Sequence, residues 1–294
     1  MQFTYVNSKG KSVKLYGSPY VIIDSELLDW EYKSMSDFVY IYDREKRDYD
    51  TTIAIQVKNY GDSDELRQQS WINSFNKLYE IFDYDNRHNQ DGKLYTDTGY
   101  YLNCRFVKSS KNNISWQRSL GTGMKYRGCY AELKFTIHTE EPSWIKESSY
   151  SIEQKSNLED YQSLDYPYDY SFDIGYSTEG TVINQEVALP TDFRLEIDGI
   201  ISNPSIYING HLYRVWTDVG EGEKLVISSF ESATDEKQIY LVDANGNKIN
   251  CINARDRGSY IFEKIEGEQI FIYSNQDIKG TLYLIEKRSE PKWT

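Results

Sequence analysis

Apolar positions along this chain recur mostly with period two, the repeat of a half-buried strand. Phe3 and Tyr5, then Val13 and Leu15, alternate about the turn Ser8-Lys9-Gly10-Lys11, which predicts an opening hairpin. The runs Phe38–Tyr42 and Ile53–Val57 flank a charged stretch from Asp43 to Asp50 and predict a long hairpin with a solvated tip. One segment breaks the rule. Between Asp62 and Phe82, Trp71, Phe75, Leu78 and Phe82 are spaced as on one helix face, and Asp62 with Glu65 can form a capping box. The spacing predicts an amphipathic helix over 62–82 that covers a sheet, and the polar run Asp83–Gly92 reads as a loop. Strands are expected at Tyr100–Val107 and Tyr130–Ile137, separated by a polar excursion over 108–128.

From Ser148 to Tyr176 the pattern lapses into tyrosines, acids and serines, and regularity resumes only at Tyr168–Ile174. Beyond Gly180 it is clean. Leu195–Gly199 alternates. Asn209-Gly210 lies between the apolar runs Ile206–Ile208 and Leu212–Tyr213, a strong hairpin signal, and Asp243–Asn247 does the same after Ile239–Val242. Tyr260–Phe262, Ile270–Tyr273 and Thr281–Ile285 continue a series of strands at about ten-residue spacing, the signature of a sandwich or barrel. The expected fold is therefore all-β with one α-helix, organised as two β-sandwich domains. Residues 1–147 form the first, with the projecting hairpin and the helix; 148–170 form a Tyr- and acid-rich connection; 171–294 form the second.

Composition narrows the function. The 294 residues include 27 Tyr, 11 Phe and 6 Trp, residue types that suit pleated sheets and contact surfaces. A formal charge of −13 argues against specific nucleic-acid binding and against an anionic membrane surface. It would suit a wall past which DNA slides. Three cysteines without C-x-x-C spacing fit synthesis in a reducing cytoplasm, and no secretory signal or membrane-spanning segment is expected. The three histidines, His88, His138 and His211, have no metal-type partners at i+2 or i+4. Gly121-Thr-Gly123 and Gly220-Glu-Gly222 lack the rest of a phosphate-binding loop, and Asp243-x-Asn245-x-Asn247 fails as a calcium loop at Lys248 and Ala254. Carboxylates crowd the stretch from Glu159 to Asp173 without forming a recognisable catalytic pair. No catalytic, cofactor-binding or metal-ligating residue is nominated, no cofactor is expected, and the chain is read as no enzyme.

Three clusters, in order, resemble the distal tail protein family of siphophages. They are the opening Phe3–Leu15; Tyr101–Phe106 leading to Phe135–Trp144, with Pro142 and Trp144; and Asn203-Pro204 through Tyr213, followed by Gly222-Glu223 and a strand. A Trp close to the C-terminus, Trp293, also fits. The resemblance implies a first domain that closes a ring of six copies and a second domain similar to a galectin-type sandwich. It implies a virion protein of the tail tip, made in the host bacterial cytoplasm, whose partners are itself, the tail tube protein and a tail-lysin or fibre hub protein around the channel for DNA. Within that frame the expected hairpin could reach a neighbour by strand addition through Phe38, Tyr40, Tyr42, Ile53, Ile55 and Val57. The alternative function is a carbohydrate- or receptor-binding module of a tail, with Trp216 stacking on a sugar.

Overall fold

A computed structural model describes residues 1–34, 42–44, 47–56, 64–115, 130–154, 180–231 and 237–293. The chain divides into two compact units, Met1–Lys146 with Lys287–Thr294, and Glu147–Glu286. Strand is the dominant element of both, and α1 (Asp64–His88) belongs to the first.

The first unit opens with the expected hairpin, β1 (Phe3–Val6) and β2 (Ser12–Lys14), in the register Tyr5↔Val13. Asn7 closes the turn, its carbonyl accepting from Gly10 N (2.8 Å) and its side chain from Lys11 N (2.8 Å). Next come β3 (Tyr20–Ser25), β4 (Tyr32–Ser34), β5 (Tyr42–Arg44) and β6 (Asp48–Gln56). After α1 follow β7 (Gly92–Thr96), β8 (Tyr101–Ser115), β9 (Tyr130–His138) and the start of β10 (Trp144–Gln154), which from Glu147 onward belongs to the second unit. One ladder runs β2-β1-β7-β8 and the other β3-β6-β9-β8. The long β8 belongs to both, pairing with β7 over Tyr101–Cys104 and with β9 from Arg105 onward. Helix α1 lays Trp71, Leu78, Ile81 and Phe82 into the core shared with Tyr5, Ile53, Ile55, Leu102, Leu133 and Phe135. Phe82 stacks on Phe106 at 3.6 Å, and the Tyr5 ring stands edge-on to both.

Three expectations change here. The helix runs past residue 82 to His88, so most of the expected polar loop is helical. The reason is long-range: Asp85, fully buried, accepts hydrogen bonds from the Tyr5 hydroxyl, from Ser8 N (2.8 Å) and from Ser8 Oγ (2.6 Å). Asn86 adds a bond to the Phe106 carbonyl (2.7 Å). Hydrophobic spacing cannot signal a turn of helix held by such polar contacts. The described part of the hairpin expected between Phe38–Tyr42 and Ile53–Val57 pairs otherwise. Strand β6 lies between β3 and β9, while β5 pairs with β4 in the register Tyr32↔Arg44. Ile53 and Ile55 are wholly buried in the core, the most favourable place for β-branched side chains on a central strand. Third, β8 extends to Ser115 and takes up the start of the expected polar excursion. The Asp62 cap, Phe38, Tyr40 and Val57, the side chain of Tyr42 and the rest of the excursion lie outside the described residues.

In the second unit, β11 (Thr181–Ile183), β12 (Val187–Asp198), β13 (Ile201–Ser202), β14 (Ser205–Ile208), β15 (His211–Arg214) and β16 (Asp218–Val219) come first. They are followed by β17 (Lys224–Ser228), β18 (Gln238–Val242), β19 (Lys248–Asn250), β20 (Ile265–Gly267), β21 (Ile270–Tyr273) and β22 (Ile278–Arg288). One sheet runs β19-β18-β17-β12-β22, the other β11-β21-β14-β15. Alternate residues of both, among them Phe193, Leu195, Leu225, Leu282, Ile206, Ile208, Ile270 and Ile272, fill one core, which makes the unit a sandwich. The Asn209-Gly210 and Asp243–Asn247 turns fall where expected. Asn209 and Gly210 hold φ of 49° and 82°, the left-handed region that a two-residue hairpin turn demands. Tyr260–Phe262 is a turn rather than a strand, closed by Glu263 N on the Tyr260 carbonyl (3.1 Å). Of the stretch expected to connect two domains, Ser148–Gln154 continues β10 as strand, and 155–170 lies outside the described residues, as does Tyr168–Ile174.

Candidate assembly surfaces

The β3-β6-β9-β8 sheet of the first unit has a covered and an uncovered face. Its inner face meets α1 and the core. Alternation puts Asp48, Asp50 and Thr52 of β6 and Lys134, Thr136 and His138 of β9 on the other. These groups pair among themselves. Asp50 meets Lys134 Nζ at 2.6 Å and accepts from Thr136 Oγ1 at 2.9 Å, and Asp48 meets His138 Nδ1 at 2.7 Å. The bond from Lys134, then that from Thr136, holds the Asp50 carboxyl below its ordinary pKa, and the same pairing raises that of Lys134. The face is thus polar and carries charges of both signs.

Among the described residues both ends of this sheet are open. At one end β3 pairs only with β6 among the described residues; Leu15 covers its start by accepting from Ile22 N (3.1 Å). Val21 and Ile23 are 37% and 50% exposed there, with exposed Asp24, Asp29 and Glu31 on and just beyond the strand. At the other end β8 is bounded by β7 as far as Cys104, and Asn86 occupies the Phe106 carbonyl. From Val107 onward no described strand pairs with its outer edge. Val107 is 47% exposed, and Lys108 and Lys111 are exposed beside it. One edge therefore joins aliphatic side chains to acids, the other an aliphatic side chain to lysines. Open edges with exposed apolar residues are what a soluble protein ordinarily shields. Sequence reading passed over both. The run Tyr20-Val-Ile-Ile23 was the available signal, since an uninterrupted apolar strand implies contact on both faces.

The residues nominated for the family resemblance sit at structural joints. Trp144 is buried against Phe3 (6.1 Å between centroids), and Pro142 lies in the short link between β9 and β10. Asn203, with φ 49°, turns the chain before buried Pro204, and its backbone N–H donates to the Thr217 carbonyl (2.8 Å). Tyr213 is buried with its hydroxyl on the Glu263 carbonyl (2.8 Å). Gly222, with φ 74°, and Glu223 form the turn before β17, the Glu223 carboxylate accepting from Gly220 N (2.8 Å). Trp216 is exposed on the second unit. Among the described residues no cluster of His, Cys, Asp and Glu could hold a metal ion, and no helix is long and apolar enough to cross a membrane.

No protein-family model and no curated protein matches the sequence. A solved structure does match: the Dit protein of phage SPP1, described as a paradigm of the hub adsorption apparatus in phages that infect Gram-positive bacteria. The similarity covers 97% of this chain and 99% of that one, with 10% identity and a TM-score of 0.51. The chain has the fold of a phage distal tail protein. Chains in two structures of the activated phage P2 baseplate, one with Ca and one with Sr, are also similar over 99% of both chains, at 12% identity and TM-scores of 0.47 and 0.46. The distal-tail fold accounts for both units at once, because the similarity to the SPP1 protein spans nearly the whole length of each chain.

Proposed function

We propose that this protein is a structural subunit of a phage tail tip, in which copies of the first unit close a ring. The observation that carries this reading is the pair of open edges on one sheet. The edge at β3 and the edge of β8 from Val107 differ in composition, so the contact between copies is heterologous, and such a contact ends in a ring when its rotation closes. Strand addition would satisfy the free backbone groups of both edges, bury Val21, Ile23 and Val107, and bring Asp24, Asp29 and Glu31 towards Lys108 and Lys111. The fold of a phage hub protein supports the same place in a virion. On this reading the ring is hexameric. It links the tail tube protein to the tail-lysin or fibre hub, and the subunits are made in the bacterial cytoplasm before entering the particle. The polar face with its Asp50–Lys134 pair would border the channel, a surface to which DNA does not adhere.

Solution mass tests the reading. Six 34.5-kDa chains weigh about 207 kDa. Light scattering over a concentration series is expected to find that mass for the wild type and a monomer for the Lys108→Glu/Lys111→Glu double variant. Adding Asp24→Lys and Glu31→Lys to the double variant is expected to restore the ring. A ring that persists in the double variant, or a wild type that stays monomeric throughout, defeats the proposal.

A further inference from the structure

We propose that the outer face of the second unit around Trp216 is a saccharide-binding site. Tyr213 and Val215 point into the core, so Leu212, Arg214 and Trp216 share the opposite face. Trp216 is 52% exposed, yet its backbone is fixed, its N–H donating to the Ala254 carbonyl at 2.7 Å. A bridge from Val215 to Arg255 and a bond from Asp256 N to the Arg214 carbonyl (3.1 Å) hold the same strand. The Arg214 guanidinium lies 5.1 Å from the Trp216 ring centre and 3.6 Å from the Asp256 carboxylate. That last separation is too long for a direct hydrogen bond and leaves N–H groups and a carboxylate oxygen free to take further partners.

The composition of the patch selects its ligand. A protein hot spot centres a Trp or Arg in a desolvated apolar pocket. Here a single exposed indole is flanked by polar groups: Arg214, Asp256 and Ser205, opposite Arg214 on β14. A pyranose presents the matching pair of surfaces. Its C–H face packs on an indole, and its vicinal hydroxyls both donate and accept, bridging a planar guanidinium and a carboxylate. A neutral or N-acetylated hexose chain is the class that fits, because Asp256 offsets the Arg214 charge and leaves the pair to hydrogen-bond neutral hydroxyls. This site does not depend on the ring and stands if the ring fails.

The test uses the full-length chain on an array of neutral and N-acetylated oligosaccharides, with thermal unfolding to verify each variant's fold. The wild type is expected to bind members of the array, Trp216→Ala to weaken that binding about tenfold or more, and Arg214→Lys to weaken it several-fold. Trp293→Ala, which removes an exposed indole from the first unit, is the control and should bind as the wild type does. Absence of any binding, or equal binding by Trp216→Ala, overturns the proposal. A Trp216→Ala protein that binds the array unchanged but loses assembly mass would make the face a protein contact instead.

Discussion

The two units solve the same problem, a sheet core with one solvated side, by opposite means. In the second unit the chain reverses through local chemistry. Gly222-Glu223 and Asp243–Asn247 form turns from neighbouring residues, and Asn209-Gly210 supplements its own left-handed turn with bonds from Asn209 to Glu266 and Phe271. In the first unit the decisive polar contacts join residues far apart: Tyr5 and Ser8 with Asp85, Asn86 with Phe106, Asp50 with Lys134. A unit whose reversals carry their own turn chemistry can be read from its sequence, even where distant bonds such as that of the Tyr213 hydroxyl to the Glu263 carbonyl add to it. A unit held by distant polar contacts is less legible and has single points of failure.

The largest effect is therefore expected at Asp85. Asp85→Ala removes the acceptor of three hydrogen bonds in a dry site and leaves the buried Tyr5 hydroxyl with only a long bond to the Cys104 carbonyl (3.3 Å). Removing a buried hydrogen-bonded acceptor of this kind costs about 3 kcal/mol or more. Urea unfolding should register the loss, with hydrogen exchange placing it in β1 and the end of α1. Tyr5→Phe, which leaves the Ser8 bonds in place, should cost about half as much. Burial first, then its electrostatic surroundings, raise the pKa of the Tyr5 hydroxyl, so it remains a donor at any pH at which the fold is measured. Equal losses in both variants would assign the whole effect to the Tyr5 contact.

Second in size is a contact of the other unit where local chemistry does not suffice. A Cβ on Gly280 would collide with the backbone carbonyl of Glu196 on the paired strand, because β22 and β12 approach closely there. Gly280→Ala should cost about 2 kcal/mol, within the range for forcing atoms into a packed interior. The comparable change in the first unit, Gly92→Ala, would press on the Tyr5 and Asp85 side chains instead. It should displace the same anchor that Asp85→Ala removes, so Gly92→Ala and Tyr5→Phe should be markedly non-additive in a double-mutant cycle.

Third, the turns themselves are expected to be weak points of only modest cost. Gly210→Ala puts a Cβ on a residue with φ 82° but into open space, so only the backbone preference is lost, about 1 kcal/mol. A loss as large as that of Asp85→Ala would contradict the contrast between the units.

That contrast also explains what could be read in advance. The opening hairpin and the two turns in the second unit were legible because Gly10, Asn209-Gly210 and Asp243–Asn247 carry their own conformational instructions. The helix was legible at Trp71, Phe75, Leu78 and Phe82, whose spacing reports a buried face, and illegible after Phe82, where Asp85 and Asn86 are held from 77 and 20 positions away. The placement of β6 was misjudged for the same reason. Ile53 and Ile55 declare a strand, but nothing local states that β3 and β9 are its neighbours rather than the nearby run at Phe38–Tyr42. The open edges of β3 and β8, which bear most on assembly, are defined by what does not pair with them, and that is a property of the whole sheet.

The smallest effect should come from two carboxylates that separate the two kinds of contact most finely. Asp50 and Asp243 both sit below the ordinary Asp pKa, Asp50 chiefly through its bond from distant Lys134 and Asp243 through bonds from Asn247 and Asn245 in its own turn. A carboxyl whose pKa is depressed on folding contributes stability that is present above its unfolded value, about 3.9, and is lost as pH falls through the folded value. Both groups should therefore make the protein less stable below about pH 4, and Asp50→Asn and Asp243→Asn should each flatten the acid limb of the stability curve slightly. Salt divides them. The Asp50 contact is an exposed ion pair that added salt screens, whereas the Asp243 contact is made to neutral amides. Raising the ionic strength from low to about 1 M should shrink the difference between wild type and Asp50→Asn to what the neutral Thr136 bond sustains and leave that of Asp243→Asn in place, as read by unfolding curves at pH 3 to 6. If salt erases both differences equally, the local turn is no more self-sufficient than the distant pair, and the distinction between the two units fails at this level.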